Sequence, residues 1–241
     1  MQLYFIRHGQ SANNALRAAT GREEGRSFDP PLTELGRRQA QRLADSLAHE
    51  PPADEAGGLD PQNRAGFGLT QLYASLMLRS VATGEILAAR LGVPLRAWAV
   101  WHEVGGLYLD DPATGGPVGR AGPNRAYFEE HHPRLELGAD VGEAGWWNRP
   151  FEPEAERSAR AGRALAALMA RHGGTEDRVA VVSHGGFYQV VIGALLGCDG
   201  RQPAATVLNN CAVSRIDFVE ERAYLVYSNR AEHLPAGLIT Q

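Results

Sequence analysis

Apolar positions along the chain come either as short unbroken runs or as helical stripes. Residues 3–6 are continuously apolar and end at Arg7-His8-Gly9, as a buried strand does where it runs into a loop. Behind Thr33, whose hydroxyl suits a helix N-cap, Leu35, Ala40, Leu43 and Leu47 recur at helical spacing and predict a helix over 33–50. The Pro-, Gly- and Asp-rich stretch 51–68 reads as a surface loop. A strand over 68–74 leads into a helix over 77–91, which Gly92 and Pro94 terminate.

Periodicity lapses over 105–150, where Gly, Pro, charged and aromatic residues mix. With too little periodic apolar content for its own core, this segment is expected to be a lid insertion in a single domain, 1–241. Pro153 suits a helix start, and the helix is expected over 153–172 with Gly173-Gly174 as its stop. A second buried run, 178–183, precedes His184-Gly185-Gly186, which opens an apolar helix to 196. Strands at 212–219 and 223–227 and a polar tail complete the chain. Strands alternating with helices predict an α/β fold, a three-layer α/β/α sandwich with a mostly parallel central sheet. Ligands in such folds sit beyond the carboxyl ends of the strands, where both His-Gly pairs fall.

Composition narrows the chemistry. A chain of 241 residues, 44% of them apolar, is long enough for a full core. The net charge of −4 gives no bulk attraction to nucleic acid or an anionic membrane, so an anion site must be a local gathering of Arg. All 24 basic residues are Arg. That excludes lysine Schiff-base chemistry and a P-loop lysine, and it makes every fixed cation a planar fork suited to carboxylate or phosphate. Cys198 and Cys211 form neither a disulfide framework nor a zinc site, and His131-His132 lacks metal-ligand spacing; no metal and no cofactor is expected. The opening MQLYFIRHG is too short and too soon charged for a signal peptide, and no apolar run is long enough to span a bilayer. A soluble cytoplasmic protein is expected, with a homodimer as the general expectation for its assembly.

Arg7-His8-Gly9 places a histidine just past a strand end, where the backbone can fix its orientation. Arg7 can give a phosphoryl oxygen two charge-assisted donors, and Gly9 lets the backbone approach closely. Ser11 and Asn14, one helical turn apart, can add neutral donors. His184 stands beside a glycine pair that opens a helix, a place suited to an anion.

The run RHGQSANN resembles the phosphohistidine signature of the histidine phosphatase superfamily, in its phosphoglycerate-mutase-like branch. The resemblance extends through Asp29-Pro30-Pro31-Leu32-Thr33-Glu34-Leu35-Gly36, Ser75 to Thr83 (SLMLRSVAT), His102-Glu103-Val104, Val182 to Gly186 (VSHGG) and, near the end, Ser228-Asn229 with His233-Leu234. It implies a metal-independent phosphatase acting on a small phosphorylated metabolite through a phosphohistidine on His8. Arg7, Arg79 and His184 would surround the phosphoryl oxygens, two guanidiniums keeping the nucleophile neutral. Glu103 would protonate the leaving alcohol and later take a proton from water; Glu23, Glu24, Glu129 and Glu130 are its alternatives if the lid folds over the site. Ser11, Asn14, Gly21 and Gly185 are the remaining positions expected at phosphate or substrate.

The sequence departs from the family pattern in places. Gln10 replaces the Glu often found there, and 22–28 (REEGRSF) carries extra polar residues, so Arg22 and Arg26 are candidates to border the pocket. A mutase needs a second strong anion site, whereas the lid offers isolated Arg120, Arg125, Arg134 and Arg149. Phosphatase is therefore the leading reading. Its alternatives are a cofactor-dependent phosphoglycerate mutase and a catalytically silent phosphate-binding regulatory member.

Overall fold

Strand β1 (Gln2–Arg7) is the apolar run at the start of the chain, and its side chains alternate between two cores. Leu3 and Phe5 join one buried cluster, Tyr4 and Ile6 the other. The same alternation splits Val179 and Val181 from Ala180 and Val182 in β7 (Arg178–Ser183), which pairs with β1 in parallel. A strand buried on both faces must be apolar throughout, which is why both runs are unbroken.

The computed structural model describes residues 1–49, 60–198, 205–220 and 222–241. Helices α2 (Glu34–Leu47) and α3 (Leu78–Leu91) cover one face through Ala40, Leu43, Val81 and Leu87. Helices α5 (Glu154–His172) and α6 (Gly185–Leu195) cover the other through Ala161, Leu168, Phe187 and Val191. The result is the expected α/β/α sandwich. Its seven-stranded sheet adds β2 (Gln71–Ala74), β3 (Leu95–Ala97), β6 (Leu135–Glu136), β8 (Val213–Val219) and β9 (Arg222–Arg230), in the order β6-β3-β2-β7-β1-β8-β9. Strands β6 to β1 run parallel, and β8 and β9 are antiparallel.

Several elements differ from the expected ones. Helix α1 (Ala12–Thr20) has no buried residue, so no apolar stripe announced it. β3 is three residues long and begins at Leu95, right after Pro94. The segment 105–150 divides: β4 (Tyr108–Asp110) and β5 (Pro117–Gly119) make a separate hairpin, while α4 (Arg125–His131) and β6 lend Phe128 and Leu135 to the core of the main sheet. Short of a core of its own, this part of the segment uses the domain's. Of the expected loop 51–68, residues 51–59 lie outside the described ones, as does Glu50, the expected end of α2. The tail is partly anchored, with Leu234 buried and the Gln39 amide donating to the Leu238 carbonyl at 2.7 Å. Among the described residues, no helix is long and apolar enough to cross a membrane.

Candidate active site

Parallel pairing of β1 with β7 sets Arg7 opposite Ser183, so the next residues, His8 and His184, emerge side by side with ring centroids 5.1 Å apart. Both rings are buried. His8 Nδ1 donates to its neighbour's carbonyl, Gly9 O, at 2.7 Å. That leaves a lone pair on Nε2, where Arg79 Nε donates at 3.0 Å. Burial, with Arg79 and then Arg7 beside it, holds His8 well below the usual imidazole range; the ring is neutral at neutral pH.

His184 Nε2 faces two hydroxyls, Ser75 Oγ at 2.7 Å and Ser80 Oγ at 3.3 Å. Its Nδ1 is buried with no hydrogen-bond partner. Burial and the nearby Arg79 keep this ring neutral too. Arg7 spends Nη1 on the Leu208 carbonyl, while its Nε is buried and unpartnered. Burial pushes Arg7 down to about 10, which still leaves it cationic at neutral pH. Two buried nitrogens without hydrogen-bond partners, Arg7 Nε and His184 Nδ1, thus lie in the cluster around His8. Unmade buried hydrogen bonds cost about 1–3 kcal/mol each, so the arrangement favours an incoming anion.

Two carboxylates cap the helices that carry these groups. Met77 and His184, the residues before α3 and α6, make no side-chain cap. Asp29 Oδ1 accepts from Leu78 N at 3.1 Å and lies 3.8 Å from Arg79 Nη1. Glu103 accepts from Val104 N and Phe187 N at 2.8 Å and from Gly186 N at 3.2 Å, where the helix dipole favours negative charge. The chain leading to Glu103 is held at three successive carbonyls: Arg160 Nη1 donates to those of Val100 (2.9 Å) and His102 (2.8 Å), and Ser183 Oγ to that of Trp101 (2.7 Å). Of the alternative acids, Glu23, Glu129 and Glu130 are exposed and face Arg26, Arg125 and His131, and Glu24 is exposed as well. Glu103 is the one whose charge acts on both Arg7 and Arg79.

The remaining expected positions have clear structural duties. Ser11 and Asn14 form a reciprocal capping box at the start of α1, Ser11 Oγ donating to Asn14 Oδ1 at 2.9 Å. Gly21 is the exposed left-handed C-cap of that helix (φ 69°). Gly185 packs against the Arg7 side chain: a Cβ there would lie 3.5 Å from Arg7 Nε. Trp147 is buried against Met77 and Leu107 and so packs the segment 105–150 onto the start of α3.

Several residues beyond the expected ones brace the site. Asp29 and Thr83 belong to the family-like segments around Pro30 and Arg79; Thr83 Oγ1 donates to Arg79 O at 2.7 Å and accepts from Gly9 N at 3.1 Å. Asn210 Nδ2 donates to the His8 carbonyl at 3.1 Å from a loop with no readable signal. Among the described residues, no group of three or more His, Cys, Asp or Glu could hold a metal ion.

Residues 3–57 and 122–231 match the histidine phosphatase superfamily (branch 1). The chain is 26% identical over 224 residues to a "Probable phosphoglycerate mutase GpmB" of Yersinia pestis, covering 91% of this chain and 86% of that protein. It superposes on a mycobacterial glucosyl-3-phosphoglycerate phosphatase with TM-score 0.60 and 20% identity, over 95% and 99% of the two chains. A phosphoserine phosphatase of Entamoeba histolytica gives TM-score 0.59 and 18% identity, over 97% and 99%. Motif, fold and family agree, and the chain belongs to branch 1 of the histidine phosphatase superfamily.

Proposed function

We propose that the protein is a metal-independent phosphomonoesterase that hydrolyses a small phosphorylated metabolite through phospho-His8. The observation that carries this reading is the pair of unpartnered buried nitrogens, Arg7 Nε and His184 Nδ1, beside the His8 ring; with its proton on Nδ1, His184 donates to the phosphoryl group as Arg7 does. A neutral His8 with its proton on Nδ1 presents Nε2 to phosphorus. For attack, the Arg79 bond to Nε2 is exchanged for one to a phosphoryl oxygen. Arg7, Arg79 and His184 then hold the three equatorial oxygens as charge spreads over them. The P–O bond to the alcohol breaks as N–P forms, and Glu103 relays the remaining proton of the substrate's monoanionic phosphate to the departing alcohol oxygen. Water then attacks the phosphohistidine, giving its proton back to Glu103 and releasing phosphate.

The mutase-named relative supports a second reading, retention of the phosphoryl group for transfer back to substrate. Against it, the lid arginines are engaged or exposed. Arg125 donates to the carbonyls of Val141 and Gly138, Arg149 packs on Trp147 and meets His102, and Arg120 and Arg134 lie on the surface.

The test is hydrolysis of p-nitrophenyl phosphate in EDTA across pH 5–8, with His8→Ala in parallel. Turnover by the wild type alone, with an acid-labile phosphoryl group trapped on His8, is expected. Equal rates in the two proteins overturn the nucleophile assignment. Activation by bisphosphoglycerate with isomer exchange would establish the mutase instead.

A further inference from the structure

We propose that Thr240 is a positioning residue for His8, acting through the amides of Gln39 and Asn210, which hold the two peptide planes on either side of Gly9. The role rests on the reading of His8 as the nucleophile.

The Gly9 carbonyl that accepts from His8 Nδ1 shares a peptide plane with the Gln10 N–H. That N–H donates to Gln39 Oε1 at 2.8 Å. The other plane, from His8 to Gly9, is held at both ends. Asn210 Nδ2 donates to the His8 carbonyl at 3.1 Å, and Gly9 N donates to Thr83 Oγ1 at 3.1 Å. Gln39 and Asn210 are both fully buried, and one hydroxyl from the segment after β9 joins them. Gln39 Nε2 donates to Thr240 Oγ1 at 2.8 Å, and Thr240 Oγ1 donates to Asn210 Oδ1 at 2.9 Å.

Backbone groups of fixed polarity assign every donor in this chain. The Gln10 N–H can only donate, so the Gln39 oxygen faces it, and Nε2 turns to the Leu238 carbonyl at 2.7 Å and to Thr240. The His8 carbonyl can only accept, so Asn210 gives it the nitrogen and turns its oxygen to Thr240. A hydroxyl has one hydrogen to give and lone pairs to receive, so it can accept from one amide while donating to the other. Hydrogen bonds in series polarise one another, and the Gln39 contact to the Gln10 N–H makes the Gly9 carbonyl a better acceptor for His8 Nδ1. A firmer bond there holds the ring plane and the tautomer that leaves Nε2 free to attack phosphorus.

Thr240 is also seated by its backbone, since Asn210 N donates to its carbonyl at 2.8 Å. Thr240→Val therefore removes the O–H at nearly constant shape and keeps that anchor, whereas Thr240→Ser keeps the O–H. The role is tested by the proton resonance of His8 Nδ1–H, recorded without substrate, and by kcat/KM for p-nitrophenyl phosphate. In Thr240→Val the resonance is expected to move upfield, as for a longer hydrogen bond. The same variant should lose about tenfold in kcat/KM, the worth of one neutral hydrogen bond. Thr240→Ser is expected to restore both. An unmoved resonance in Thr240→Val overturns the proposal whatever happens to the melting temperature, because a purely structural Thr240 changes stability alone. An unchanged kcat/KM beside an active wild type overturns it too, as does a change that Thr240→Ser shares in full, which would belong to packing and not to the hydroxyl. The resonance is read from the resting protein, so it decides the role of Thr240 at His8 separately from turnover. Failure of the hydrolysis reading shows instead as a wild type without activity.

Discussion

Asp29 faces Arg79, Oδ1 to Nη1 at 3.8 Å, with both side chains almost wholly buried. Its other oxygen, Oδ2, has no hydrogen-bond partner. Burial is the largest influence on this carboxyl and raises it to about 6, against the opposing pull of Arg79 and of the Leu78 N–H. A raised folded-state value means that the fold favours protonated Asp29. That contribution to stability is complete below the ordinary carboxyl value and is lost as pH rises through about 6. Asp29→Asn stays neutral throughout and should gain on wild type between pH 4 and pH 8, by on the order of 3 kcal/mol. Urea midpoints at the two pH values measure this. A difference that does not change with pH would show that Asp29 does not titrate in this window.

Gly9 and Gly36 bring two backbones together where a side chain cannot fit. A Cβ on Gly9 would lie 2.5 Å from Gly36 O, and one on Gly36 would lie 2.2 Å from Gln10 O. The contact seats the first turn of α2 directly on the loop after His8. Gly36→Ala must push that turn away, with an overpacking cost of about 1–3 kcal/mol. Because Gln10 N also donates to Gln39 on α2 at 2.8 Å, the displacement should reach the His8 loop. We expect a lowered melting temperature together with a loss of kcat/KM, read on the same preparation. A variant with wild-type kcat/KM would show that the loop holds its shape without α2.

The fold was legible wherever burial imposed a period. β1 and β7 are buried on both faces and read as unbroken apolar runs, while α2 and α5 carry one apolar stripe each. α1 was missed because all nine of its residues escape full burial, and β6 because a two-residue strand carries no period. In the site, His8 and His184 stood out because each directly follows a buried strand. The bracing residues did not. Asn210 reaches the His8 carbonyl across 202 positions of sequence, a contact set by topology and not by local pattern. Thr83 had a weaker signal, since four residues after Arg79 puts it one turn further along α3. Asp29 looked like part of a loop motif, and its partner Arg79 is 50 residues away.

The hydroxyl of Ser75 lies 2.7 Å from His184 Nε2. A hydroxyl that donates there keeps the ring proton on Nδ1, the unpartnered atom proposed to donate to phosphate, and Ser75→Ala tests whether it does. Ser75→Ala leaves Nε2 only the longer contact to Ser80, 3.3 Å. The tautomers should then mix, visible in the ring nitrogen shifts of His184, and kcat/KM should fall by roughly tenfold, the worth of one neutral hydrogen bond. Unchanged shifts and rate together would remove Ser75 from this role.

Arg160 and Glu152 form a buried bidentate pair, Nε to Oε1 at 2.5 Å and Nη2 to Oε2 at 2.8 Å. The same guanidinium holds the carbonyls of Val100 and His102 and stacks on Phe187, 3.9 Å from its centroid. It therefore links Glu152 to the chain that delivers Glu103 and to the helix whose N–H groups Glu103 caps. Glu152→Gln strands a buried cation, at a cost of about 3–5 kcal/mol, and should loosen Glu103. Loosening an acid matters most where the leaving group is poor. An alkyl phosphate needs its departing oxygen protonated; p-nitrophenolate leaves without help. Glu103→Gln should lower kcat for alkyl phosphates by about 10²–10⁴ and have a far smaller effect on p-nitrophenyl phosphate. Glu152→Gln, assayed below its lowered melting temperature, should show a weaker form of the same asymmetry. If both substrates slow equally in Glu152→Gln, the pair supports the fold as a whole and does not position the acid.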